Sequence, residues 1–461
     1  MRGDPIPVSP AAIVGSGLCI GCGSCASRHS AATMDLDRDG QLKPNGPPEW
    51  FAASAPSVAR CCPFSPAAAN EDELAAELYP GAAHVDPLVG RYEAAYVGHV
   101  AEADFRARGS SGGMVTWIAA ELLRRGLVDG VAHVVPGEDS DARLFAYRIS
   151  RNVAKLQEGA KSRYYPVEMS DVLRAIRSTP GRYAVVGIPC FIKAINLLRR
   201  EEPLLRRRIA FTIGLFCGHM KSARMVDSFA WQLGAEPDTV RAIDYRLKNP
   251  HRPANWYTAH LTLADGSTRQ QDWWHLAEGD WGAGFFMNPA CNFCDDVVAE
   301  TADIALGDAW LEPYASDGRG TNVVLVRSPP LHELVKAGIA TSRLELAPVD
   351  EEFVRQTQAA GFRQRREGLA YRLARARLPL QPRKRVAPSQ DVRPRRKLIY
   401  RMRAAISAWS HRVFRVAQAL GWPKLYLLWA RATLRLYHAL AYSRGPLGTI
   451  VDRVFDPVGE G

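Results

Sequence analysis

Three cysteines in seven residues, Cys19-Ile20-Gly21-Cys22-Gly23-Ser24-Cys25, constrain this chain more than any other feature. A Cys-x2-Cys-x2-Cys turn aims three sulfurs at one inorganic cluster, and the interleaved glycines permit the backbone that such a turn needs. A zinc site would more often show two separated pairs, and a disulfide framework has little use for three neighbouring thiols. The place of a fourth local cysteine is held by His29, so the run stops at three. A remote Cys-Pro follows at Cys61-Cys62-Pro63. The economical reading is half of a two-cluster ferredoxin, in which Cys19, Cys22, Cys25 and Cys62 hold one 4Fe-4S cluster. Cys61 is then a spare thiol and His29 a surface side chain, with His29 as a ligand the alternative.

The other cysteines are scattered. Tyr183 to Gly187 reads as a buried strand running into Ile188-Pro189-Cys190, and Ile209 to Phe216 as another ending at Cys217-Gly218-His219. Strand C-terminal ends are where open α/β sheets place their sites. Cys291-Asn292-Phe293-Cys294 follows an aromatic, glycine-bearing loop with Trp273, Trp274 and Trp281. Taken singly, Cys190 and Cys217 would be small hydrophobes. Together with the pair they make four, the number a cubane takes, and we expect a second 4Fe-4S cluster on Cys190, Cys217, Cys291 and Cys294, with zinc as the competing occupant.

Between the cysteine groups the texture is α/β. A strand from Glu93 to Val100 leads through Arg108-Gly109-Ser110-Ser111-Gly112-Gly113 into a helix, Met114 to Arg125, and a strand, Val128 to Val135. Gly-x-Gly-x-x-Gly is absent, so this is no dinucleotide fingerprint. A Ser/Gly-rich helix start suits a phosphate, although an ordinary N-cap reads the same way. Lys161-Ser162-Arg163-Tyr164-Tyr165 offers cations, hydroxyls and rings to an anionic planar cofactor, or is a solvated loop.

These stretches resemble one family. Gly109 to Gly113, Gly187-Ile188-Pro189-Cys190, Gly214 to His219, the Cys291/Cys294 pair and Ala302 to Asp308, in that order, are similar to the coenzyme F-420 hydrogenase/dehydrogenase beta subunit family, over roughly residues 15–340. Its members are flavoproteins with FAD and one or two 4Fe-4S clusters, and they include 7-hydroxymethyl chlorophyll a reductase-like proteins. The resemblance implies that Ser110, Ser111, Gly112, Gly113, Lys161, Ser162, Arg163 and Tyr164 lie at FAD. His219 and Asp308 become catalytic candidates because they adjoin its motifs. Phe191 departs from the pattern, where glutamine is common.

Charge divides the chain. From Tyr371 onward there are 19 Lys and Arg against 4 acidic residues, a balance of +15 within a total of +11, so residues 1–370 are mildly acidic. The body is therefore not read as nucleic-acid binding. Residues 378–397 look like a Pro/Arg linker that builds no core. Beyond it come two basic amphipathic helices, Leu398 to Leu420 and Lys424 to Tyr442, the first with an apolar stripe of Leu398, Met402, Ile406, Trp409 and Val413. Such helices suit an anionic membrane surface, and equally a hairpin docked on the protein itself. Met1 to Pro10 lacks a signal-peptide core, and clustered thiols suit a reducing compartment, so the expected location is cytoplasmic, peripheral at the membrane at most.

The expected architecture is an α/β (α+β) flavin domain over 89–370, preceded by a ferredoxin-like module over 1–88. A linker over 371–397 and a helical tail over 398–461 follow. The expected function is an iron–sulfur flavoprotein oxidoreductase that takes electrons from a ferredoxin-like donor through two clusters and FAD to a small molecule. That molecule stays open between a deazaflavin, a tetrapyrrole-like compound and a cell-envelope sugar precursor. The rivals are an electron-transfer subunit without its own substrate and a zinc-stabilised binding protein.

Overall fold

The computed structural model describes residues 7–138 and 143–455. The first six residues of the segment read as lacking a signal core, and the acidic pair Asp456 and Glu460, lie outside the described residues.

Runs of β-branched and small apolar residues build one eight-stranded sheet. Its strands are β1 (Ala94–Val100), β2 (Gly130–Pro136), β3 (Phe145–Ser150), β4 (Tyr183–Gly187), β5 (Ile209–Leu215), β6 (Ile304–Asp308), β7 (Asn322–Val326) and β8 (Leu344–Val349). The spatial order is β8-β1-β7-β6-β5-β4-β2-β3. The central strands β2, β4, β5 and β6 run parallel, and antiparallel partners flank them on both sides. Every residue of β4 and β7 is buried, as continuous apolar strands covered on both faces should be. Helix α1 (Met114–Arg124) covers one face through Trp117, Ile118 and Leu122. On the other face, α2 (Pro189–Glu201) packs in a core that also holds Ile13, Leu18, Ile20 and Phe64 of the N-terminal segment. The cysteine-bearing N-terminus and the sheet therefore share one hydrophobic core.

A separate three-stranded antiparallel sheet (Val240–Asp244, Thr258–Leu263, Thr268–Asp272) carries no clear sequence signal, because its edge strand Thr-Arg-Gln-Gln-Asp is wholly polar. Two short helices, Glu351–Thr357 and Ala359–Arg365, follow the last strand. The break between them falls at Gln358, whose side-chain amide donates to the Asp308 carbonyl at 2.9 Å.

The Pro/Arg stretch departs from expectation. It is irregular up to Arg393, where a helix takes over its last four residues, yet it is a strap held by buried charge. Lys384 Nζ lies 2.8 Å from Asp295, and Arg385 donates to Glu300 at 2.5 Å. Asp295 is fully buried. Burial alone would raise its pKa, but Lys384, Lys193 and Arg385 hold it well below the ordinary carboxylate range.

The tail forms α3 (Pro394–Ala419), α4 (Pro423–Tyr442) and a further helix, α5 (Gly445–Phe455). Helices α3 and α4 dock on the body. The buried stripe of α3 is Ile399, Arg403, Ile406, Ser410, Phe414 and Ala417, rotated from the one read in the sequence, and Trp409 is exposed. Polar groups fix the docking: Ser410 Oγ accepts from Phe286 N at 2.9 Å, Ser407 donates to Met287 O at 3.0 Å, and Tyr426 donates to Glu278 at 2.6 Å.

Candidate functional site

The first thiol group is built by a loop whose glycines have no substitute. Gly21 and Gly23 both sit at φ +79°. A Cβ on Gly21 would lie 2.5 Å from the Leu42 carbonyl oxygen, and one on Gly23 would lie 2.5 Å from a Glu168 carboxylate oxygen. The Cys22 carbonyl accepts from Met169 N at 3.0 Å, and the Cys19 carbonyl accepts from Lys43 Nζ at 2.7 Å, so the turn is anchored from two sides. Helix Pro56–Cys61 delivers the Cys-Pro element. Cys19, Cys22, Cys25, Cys62 and Pro63 line one pocket, and Cys61 does not. The Cys61 thiol turns back to donate to Val58 O at 3.6 Å and is fully buried. His29 packs beside Trp50, with ring centroids 5.4 Å apart, and does not line the pocket.

The second group is assembled over a long sequence distance. Cys190 enters at the N-terminus of α2, Cys217 follows β5, and Cys291 and Cys294 come from the short helix Pro289–Phe293 and its end. Burial pushes the Cys190 thiol well up, and the neighbouring Cys294, Cys217 and Cys291 add to it. Cys217 is pushed up to about 12 and Cys291 to about 11, burial leading in both. The first group behaves alike: burial, then the other cysteines, raises Cys25 and Cys62, and Cys22 reaches about 12. Without a bound cation these raised values keep the thiols neutral, and a cationic centre would be needed to hold them as thiolates. Among the described residues no group of three or more His, Cys, Asp or Glu is placed to hold a metal ion.

The two groups are neighbours. Cys22 adds to the repulsion on Cys190, and burial, then Cys190 and Cys22, raises the Tyr147 phenol, which donates to Val186 O at 2.8 Å. Phe191, the departure from the pattern, is fully buried and stacks on Tyr147 at 6.2 Å.

Next to the second group lies an aromatic chamber. Cys291 Sγ accepts from Met220 N at 3.3 Å, and the preceding His219 stacks on Trp281 at 4.5 Å. A Cβ on Gly218 would lie 2.1 Å from Trp281 Nε1, which accounts for glycine in Cys217-Gly218-His219. Trp281 in turn meets Tyr164 at 4.8 Å and Trp273 at 6.0 Å. Arg403 Nη2 lies 3.3 Å from His219 Nδ1. Arginine can only donate, so Nδ1 accepts and the ring proton sits on Nε2. Burial, then Lys221 and Arg403, holds the His219 pKa well below its usual value, and the ring is neutral. His219 Nε2, Trp273 Nε1, Tyr245 Oη, Arg163 Nε and Arg246 Nε are buried without a hydrogen-bond partner among the described residues. So many orphaned polar atoms around one set of rings suit a planar polar ligand.

The Ser/Gly loop and the Lys161 loop meet at this chamber: Ser110 Oγ accepts from Ser162 N at 2.8 Å. Gly113, at φ +87°, opens α1, and a Cβ there would lie 2.6 Å from the Phe105 carbonyl. A Cβ on Gly112 would lie 2.8 Å from Asn322 Oδ1, which accepts from Met114 N. Lys248 Nζ donates to Ser111 O at 2.8 Å, Lys161 pairs with Asp244 at 3.2 Å, and Arg163 lies over Phe145. Asp308 is not free: Arg246 donates to both its oxygens, at 3.0 and 3.3 Å, and stacks on Tyr257 at 4.2 Å. Arg246, Lys248 and Tyr245 went unread in the sequence because no local spacing marks them. Arg365 is another. It is buried, and although burial opposes its charge, Cys294, Cys217 and Cys291 hold its pKa above the ordinary arginine value.

Residues 95–174 match the N-terminal part, and residues 181–352 the C-terminal part, of the family described as "Coenzyme F420 hydrogenase/dehydrogenase, beta subunit", together just over half of the chain. The chain belongs to the coenzyme F420 hydrogenase/dehydrogenase beta subunit family. It is 22% identical to the coenzyme F420-dependent sulfite reductase of Methanocaldococcus jannaschii, over 78% of this chain and 52% of that protein. Against the coenzyme F420 hydrogenase subunit beta of Methanosarcina barkeri it is 20% identical, over 58% of this chain and 85% of that one. Against the chloroplastic 7-hydroxymethyl chlorophyll a reductase of Oryza sativa subsp. japonica it is 24% identical, over 53% of this chain and 49% of the reductase. It spans about half the length of the sulfite and chlorophyll reductases. A chain of the F420-reducing NiFe hydrogenase complex from Methanosarcina barkeri superposes with a TM-score of 0.47 at 18% identity, over 61% of this chain and 92% of that one. By their names these relatives are oxidoreductases or hydrogenase subunits, and redox electron transfer is the chemistry of the family.

Proposed function

We propose that this family member is an iron–sulfur flavoprotein oxidoreductase, passing electrons from a ferredoxin-like donor through two 4Fe-4S clusters and FAD to a small-molecule substrate. The observation that carries this reading is adjacency: two four-thiol groups lie side by side, and the second abuts an aromatic chamber rimmed by cations. The donor sets fit cubanes, with Cys19, Cys22, Cys25 and Cys62 for one and Cys190, Cys217, Cys291 and Cys294 for the other. The buried polar atoms left without partners around these rings would suit FAD. Ser110, Ser111, Gly112 and Gly113 at the α1 N-terminus, with Lys161, Ser162 and Arg163, would take its phosphates, and Tyr164 would face its ring. Bound there, the clusters supply one-electron steps and the flavin a hydride.

The chain's own groups set the conditions. Trp273, Trp281 and Tyr164 exclude water from the chamber. The neutral His219 presents an Nε2–H donor, fixed by Arg403 on the opposite nitrogen, and is our candidate for contact with the flavin or substrate. Asp308 orients Arg246 at the chamber wall and acts through it.

A second reading, an electron-transfer subunit of a larger complex, is favoured by the Methanosarcina barkeri relative, named as a hydrogenase subunit. Anaerobic mixing of the purified full chain with a reduced ferredoxin tests the proposal. Bleaching of the flavin band, followed by turnover of an added acceptor without other proteins, is expected. Bleaching with no turnover of any acceptor would favour the subunit, and no bleaching would refute both.

A further inference from the structure

The tail spends one face of each docked helix on the body and leaves another apolar. On α3, Trp409, Val416 and Leu420 are each at least half exposed and recur at steps of seven and four, one stripe of a helix. On α4, Leu428 and Leu436 stand two turns apart at 64% and 53% exposure, with the exposed Arg431 and Arg435 between them. On α5, Leu447, Ile450 and Val454 repeat the pattern at steps of three and four. Isolated exposed leucines need no explanation, but three consecutive helices each turning such a stripe outward do.

The charge on these helices identifies what covers them. Residues 394–455 hold twelve Lys and Arg against one acidic residue, Asp452. Arg403 is buried and Arg396 and Arg415 pair with Glu367 and Asp39, while Arg401, Arg412, Arg431, Arg435 and Arg444 are exposed. A second copy of the same face would set cation against cation. No described helix is long and apolar enough to cross a membrane. Apolar stripes interleaved with arginines, and Trp409 and Trp422 at their margins, match a helix lying in the headgroup layer.

We infer that the outward face of α3, α4 and α5 is a docking surface for an anionic lipid bilayer. The hairpin is already fixed to the body by Arg403, Ser410 and Tyr426, so binding requires no folding of the tail. Attraction comes from the arginines and fades with salt, whereas insertion of the leucines and Trp409 persists.

Vesicle flotation of the full chain tests this. With vesicles of phosphatidylcholine containing about one-third phosphatidylglycerol the protein should float, and with phosphatidylcholine alone it should partition at least about tenfold less. Arg431→Glu with Arg435→Glu should cut anionic binding at least about tenfold, since each cation near the surface contributes about 1 kcal/mol. Trp409→Glu with Leu428→Glu and Ile450→Glu should abolish what remains at about 0.5 M salt. Far-UV circular dichroism and melting would check the fold of each variant, and the arginine pair, fully at the surface, carries the test should the triple variant misfold. No flotation with anionic vesicles would overturn the inference, as would equal binding to both vesicle types. Self-association lost in the same variants, or nucleic-acid binding without flotation, would also overturn it by assigning the face to another occupant.

Discussion

The two thiol groups are built in opposite ways. The first is local: three thiols come from seven residues, and the turn is held by the backbone of Leu42 and Met169 and by the Lys43 ammonium on the Cys19 carbonyl. Cys22, Cys25 and Cys62 are raised by burial and by one another, and the nearby Lys43 is turned to the Cys19 carbonyl. The second gathers Cys190, Cys217, Cys291 and Cys294 from separate elements. Arg365 stands against it, and Arg403 acts on Cys291 as well. Both arginines lie outside the residues matched by the family, in the C-terminal region that straps and caps the body. Nearby positive charge favours the reduced, more negative state of a cluster. The second centre should therefore have the higher potential, which favours electron flow from the first group toward the aromatic chamber.

The largest effects should come from the ligands. Cys25→Ser should remove the first centre and Cys217→Ser the second, each lowering iron from about eight to about four per chain. Loss of all iron from either variant would mean that the groups are one site. Next comes the strap. Lys384→Ala takes the nearest cation from the buried Asp295 and leaves it only Arg385 at 3.7 Å, which costs up to about 3 kcal/mol and should damage the second centre more than the first. The Asp295 contribution is fully present at neutral pH and is lost as pH falls below the ordinary carboxylate range, because its folded pKa is depressed. The gap between thermal melts of wild type and variant should therefore stay constant from pH 7 to about pH 5 and begin to narrow only below about pH 4.

Arg365→Gln should lower the second midpoint potential by about 60 mV or more, equivalent to about 1.4 kcal/mol on one electron, and leave the first unmoved. Arg365→Lys should restore most of it. Equal shifts in both centres, followed by electron paramagnetic resonance, would break the electrostatic distinction. The smallest effect belongs to Cys61→Ser, which should keep wild-type iron content, whereas Cys62→Ser should lose one centre.

The same contrast explains what the sequence made legible. Cys19, Cys22 and Cys25 announce themselves by spacing, and strands such as Tyr183–Gly187 by unbroken apolar character. The Ser/Gly loop and the Lys161 loop, 52 residues apart in sequence, are joined through Ser110 and Ser162. Long-range partners leave no such trace. Arg246 reaches Asp308 across 62 residues, and Lys384 reaches Asp295 across 89. The strap read as a coreless linker because its buried groups are charged, and charge signals exposure until a partner is known. The stripe on α3 was misplaced because that helix is apolar on two sides and buries Arg403. The polar third sheet and α5, which opens on Gly-Pro, lack the alternation or capping that mark such elements.

Anaerobic purification of the full chain, with assay of iron, acid-labile sulfide, zinc and flavin, tests the central claim most directly. The account predicts about eight iron and eight sulfide with about one FAD per chain. Stoichiometric zinc in place of iron at either thiol group, or a preparation without flavin, would contradict it.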